Sequence, residues 1–142
     1  FSRQQFPEAV GVYSIVLEKL CREKSNNKKV FFKNGVVVSL ANGKFDAAKK
    51  MIEDAPRCGI DQEAVNEASL DLLEAYKENT LWNNYRDWLA QIGNTKELQA
   101  DLVYHWWVLA RAYQASGRAD LANSLVSRRK NSNYSIKLQL WV

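Results

Sequence analysis

The chain has 142 residues, of which 46% are hydrophobic and 25% charged, and a formal net charge of +4. That balance excludes global disorder and allows one buried core, while the modest charge argues against an extended nucleic-acid stripe. No apolar run approaches the roughly 20 residues that span a bilayer and no signal peptide is visible, so no membrane span is expected.

In chain order, residues 6–23 read as a helix. Pro7 falls near its first turn, and Ala9, Tyr13, Val16 and Leu20 share a face. Glu23 to Lys29 is a charged break. Residues 30–40 follow as an apolar helix despite Gly35 and the β-branched run Val36-Val37-Val38, because period-2 alternation is absent. Gly43 is expected to end it in the left-handed conformation, with Phe45 to Asp54 as the partner helix burying Ala48, Met51 and Ile52. Pro56 and Gly59 stop that helix.

Asp61 then reads as an N-cap for a helix carrying Val65, Ala68, Leu72, Leu73 and Tyr76. Thr80 is expected to cap the next helix, on which Leu81, Tyr85, Trp88, Leu89 and Ile92 recur at three- and four-residue steps, and Gly93 to end it. Asn94 or Thr95 should cap the longest helix, whose face is Leu98, Leu102, Trp106, Leu109 and Tyr113. The last helix is expected from Arg118 to about Lys130. In residues 131–142, Tyr134, Ile136, Leu138, Leu140 and Val142 alternate with other side chains, a strand pattern. It reads either as a terminus laid over the final hairpin or as a strand for self-association through residues 134–142.

A repeat organises these elements. At a shift of 74 residues, Phe32 falls on Trp106, Gly43 on Gly117, Lys44 on Arg118, Asp46 on Asp120 and Ala48 on Ala122. Thr80 lies midway, 37 residues from each glycine, and Phe45-Asp46-Ala47-Ala48 matches Phe6-Pro7-Glu8-Ala9 at a shift of 39. The chain therefore reads as a half unit over 1–25, units over about 29–61, 62–94 and 95–130, and a tail over 131–142. A start at Phe1 rather than Met leads us to expect an upstream segment, so that the chain is an excerpt or a subunit of a larger assembly.

Trp106, Leu109, Ala110, Tyr113, Gly117 and Ala122 stand at the spacing of the tetratricopeptide repeat signature, which this unit resembles. Phe32, Gly43, Phe45, Ala48 and Ala55 carry the likeness in the first unit, and Leu72, Tyr76 and Trp82 in the second. The unit spacing exceeds the family's usual ~34 residues, and the closing proline is not in its usual place. The resemblance implies an all-α fold, a right-handed superhelical array of antiparallel helix pairs with about seven helices and an extended tail. It also implies a scaffold or adaptor whose concave groove holds a peptide or partner helix. Groove positions carried over from the family are Val30, Lys33, Val37 and Leu40, then Glu67, Leu70, Glu74 and Lys77, then Tyr104, Trp107, Arg111 and Gln114. Trp107 and Arg111 are the expected anchors.

The carboxylate clamp of some family members fits Lys33 only. Val37, Asp71, Tyr104 and Val108 occupy its other places, and Asp71 would repel a carboxylate. The alternative reading is a pentatricopeptide-like RNA-binding protein or subunit of an RNA–protein complex, which residues 32–61 also resemble, with Lys33 and Trp107 where small polar base readers are usual.

No catalytic constellation, cofactor motif or metal spacing is visible, so no enzyme is expected. His105 reads as structural or as a surface residue. Cys21 and Cys58 lack metal-ligand spacing and read as reduced thiols in an intracellular, cytoplasmic protein, with an organelle as the alternative.

Overall fold

The computed structural model describes residues 6–23 and 26–128. Among these residues the protein is all-helical, with α1 (Phe6–Glu23), α2 (Lys28–Ala41), α3 (Phe45–Asp54), α4 (Gln62–Glu78), α5 (Trp82–Ile92), α6 (Gln99–Ala115) and α7 (Ala119–Arg128). The strand pattern of residues 131–142 lies outside the described residues, and with it any self-association there. The chain divides into two compact units, Phe1–Asn79 and Thr80–Val142.

In the first unit α1 packs on α2, α2 on α3 and α3 on α4. Leu17, Phe32, Val36, Ala48, Met51 and Ile52 are buried, as their helical spacing requires. Gly35 is a poor helix former but has a packing reason to be there. A Cβ at that position would stand 3.0 Å from Met51 Sδ and 3.4 Å from Tyr13 Cβ, so the bare backbone lets α1 and α3 close on α2. Ser39, fully buried beside it, returns its hydroxyl to the Gly35 carbonyl at 2.7 Å.

α3 tightens into a 3-10 turn, Ala55–Cys58, that ends at Gly59 with φ 76°. Asp61 then caps α4, its carboxylate accepting from the Ala64 N–H at 2.8 Å, as expected of an Asp before an apolar-periodic run.

The cysteines depart from the reduced state expected of them. Cys21 at the end of α1 and Cys58 in the 3-10 turn form a disulfide, their Cα atoms 4.5 Å apart across 37 residues of sequence. The packing of α1 against the end of α3 brings them together, which spacing along the chain does not reveal.

In the second unit α5 and α7 each pack on α6. Tyr85, Leu89, Leu109, Ala110 and Ala122 are inaccessible to solvent. At its foot the 3-10 turn Lys96–Leu98 precedes α6, and Gln99 Nε2 donates to the carbonyls of Gly93 at 2.9 Å and Thr95 at 2.7 Å. Thr95 precedes this turn without a side-chain cap bond. α1, at 18 residues, is the longest helix, one residue longer than α6.

The three turn residues aligned by the repeat share one conformation: Gly43, Thr80 and Gly117 have φ 72°, 53° and 79°. After both glycines the chain closes the same way, with Lys44 N–H donating to the Ser39 carbonyl and Arg118 N–H to the Tyr113 carbonyl. Thr80 is therefore a left-handed residue after α4 and not the N-cap of α5, which is Leu81 without a side-chain cap bond. Gly93 ends α5 with φ −60°, in ordinary right-handed geometry.

Candidate binding surface

In the first unit the residues carried over from the repeat lie on α2 and α4. Lys33 Nζ stands 3.6 Å from Glu67 Oε2, and one turn earlier Lys29 Nζ stands 2.9 Å from Asp61 Oδ2. The two helices thus run side by side, joined by these two ion pairs. Val30 and Val37 flank Lys33 on α2, at 58% and 59% exposure. Leu40 and Leu70 are half-buried. Glu74 and Lys77 meet each other at 2.7 Å.

The electrostatics of this face follow from those pairs. The Lys29 ammonium is held above its usual pKa by its hydrogen bond to Asp61. The Asp61 carboxyl is held below the usual range by the Ala64 N–H and then by Lys29. Asp71 goes the other way: burial raises its pKa, and the like charges of Glu67 and Glu74, one turn to either side, raise it further.

In the second unit Tyr104, Trp107, Arg111 and Gln114 follow one another along α6 at helical steps of three and four. The rings of Tyr104 and Trp107 lie 6.1 Å apart at 37°, with Tyr104 41% exposed and Trp107 half-buried. Arg111 is exposed and donates to Gln114 Oε1 at 3.2 Å. His105 points away from this face: it is buried at 4% exposure and bonded to Tyr85, a structural role.

Sequence reading passed over a concavity in the first unit. α1, α3 and the 3-10 turn leave a groove of about 590 Å³ with Leu17, Ala47 and Met51 along it and the disulfide in its wall. Ile15, at 69% exposure, stands at its edge. Among the described residues no three His, Cys, Asp or Glu side chains gather into a metal site, and no helix is long and apolar enough to cross a membrane.

Comparison with protein-family models, with curated proteins and with solved structures finds no match. The reading of this surface therefore stands on its residues.

Proposed function

We propose that the chain is a tetratricopeptide-like scaffold, a right-handed array of helix pairs that binds a peptide or a partner helix along the first helices of its units. The observation that carries this reading is where apolar surface remains open. Among the described residues four large hydrophobic side chains are exposed, Ile15, Val30, Val37 and Tyr104, and the last three occupy groove positions of the repeat. Apolar side chains left in water on one recurrent face are what a binding surface requires and a solvated helix face does not. The shared left-handed turns at Gly43, Thr80 and Gly117 support the repeat itself. The role is binding rather than catalysis.

The RNA-binding alternative has less behind it. Lys33 is engaged by Glu67, and the α4 face adds Asp71 and Glu74, charges that repel a phosphate backbone. A gel-shift with single-stranded RNA whose affinity falls steeply with salt would favour it.

Location bears on the partner. A disulfide persists where thiols are oxidised, so for an intracellular protein the Cys21–Cys58 bond favours an oxidising organelle over the cytoplasm.

The test is a pull-down that compares the chain with a Trp107→Ala/Arg111→Ala variant. Loss of captured protein with unchanged helicity by circular dichroism is the expected result. Undiminished capture would move the site off α6.

A further inference from the structure

The groove between α1, α3 and the 3-10 turn has a covalent bond in its wall. Cys21 and Cys58 both line it, and both are half-buried rather than sealed in the core. Leu17, Ala47 and Met51 give the same groove an apolar lining, and its volume of about 590 Å³ suits a molecule of tripeptide size.

Five charged side chains share this groove, three cations and two carboxylates. Glu18 meets Arg22 at 3.0 Å and Asp54 meets Arg57 at 2.5 Å, which engages both carboxylates. Lys50 is left over. It is exposed, and among the described residues no carboxylate stands within ion-pair distance of it. The two arginines are sequence neighbours of the cysteines, Arg22 of Cys21 and Arg57 of Cys58. A cation near a sulfur stabilises the thiolate, which makes that cysteine a better leaving group in exchange.

We infer that this groove is a site of thiol–disulfide exchange for a small thiol that carries carboxylates, such as a cysteine-containing peptide. A carboxylate of the incoming molecule pairs with Lys50, and its thiolate attacks one sulfur of the Cys21–Cys58 bond. A new S–S bond to the incoming sulfur forms and the Cys21–Cys58 bond breaks. The other cysteine leaves as a thiolate, which takes a proton from water. A second molecule of the thiol attacks the mixed disulfide in the same way and releases the small disulfide. Two electrons have then passed from two thiols to the protein, and both cysteines are reduced.

This inference goes beyond the scaffold reading and stands without it. The probes are glutathione and its diethyl ester, which share one thiol and differ in whether the carboxylates are free. Each is added in excess to the folded, oxidised 142-residue chain, samples are alkylated at intervals, and intact mass reports mixed disulfide and reduced chain. Rates on the urea-unfolded chain divide out the intrinsic reactivity of each thiol. Glutathione is expected to open the bond about fivefold faster than the ester at low salt, at a rate that rises linearly with thiol. The preference falls to within about twofold in about 1 M salt and in Lys50→Ala, and Lys50→Glu reverses it. Glu18→Gln releases Arg22 and widens it. A rate that levels off and no longer depends on thiol overturns the inference, because the bond then opens only through unfolding. Equal rates for the two thiols, or a preference that survives Lys50→Ala, overturn it as well.

Discussion

The Tyr85 hydroxyl lies 2.6 Å from His105 Nδ1 and donates to the His105 backbone carbonyl at 3.1 Å. One hydroxyl has one proton. Where Nδ1 carries hydrogen it donates to the Tyr85 oxygen, so the roles in the 2.6 Å contact depend on the imidazole tautomer. Both residues are buried, so Tyr85→Phe strands polar atoms out of reach of water. We expect it to cost about 1–3 kcal/mol in urea unfolding and to change the imidazole nitrogen shifts.

Thr80 at φ 53° is a β-branched residue in a conformation that suits glycine. Thr80→Gly is expected to stabilise the protein by about 1 kcal/mol, because relief of left-handed strain outweighs the backbone entropy of glycine. The mirror experiment is Gly43→Ala. A Cβ there meets no atom within 4 Å, so its expected cost of about 1 kcal/mol reads conformation alone. Urea midpoints that move together in the same direction would refute the pair.

Asp71 has its folded-state pKa raised by burial and by Glu67 and Glu74. A carboxyl whose pKa rises on folding contributes stability at low pH that is lost as pH climbs through the raised value. Asp71→Asn is therefore expected to raise the thermal midpoint at neutral pH, with the gain shrinking to nothing below the ordinary carboxylate range. A gain independent of pH would mean that the substitution acts through packing.

The disulfide closes 37 residues of sequence. On loop-closure entropy its removal by reductant, or as Cys21→Ser/Cys58→Ser, should cost about 3–4 kcal/mol. Urea unfolding with and without reductant measures this, and intact mass before and after reduction confirms the bond through the gain of two hydrogens.

Much of the helical order was legible in the sequence because helix periodicity and a repeated left-handed turn are local properties. Gly43 and Gly117 declare that turn by having no side chain, and Asp61 declares its cap by standing before an apolar-periodic run. Thr80 was harder to read: a threonine at a helix boundary is a good N-cap by composition, and only its positive φ shows the other role. Val37 and Tyr104 are groove positions that the family resemblance implies, and both side chains are exposed. Pairings between helices were not legible, since the approach of Lys33 to Glu67 and the meeting of Cys21 with Cys58 depend on how helices pack, and a one-dimensional pattern does not encode that distance.

The bond between Cys21 and Cys58 turns the segment that contains α2 and α3 into a covalent ring. A protease that cuts at the exposed Gly43-Lys44 turn would open the ring without releasing a fragment. Under oxidising conditions the nicked chain keeps its two pieces tethered, and they part on a denaturing gel only after reduction.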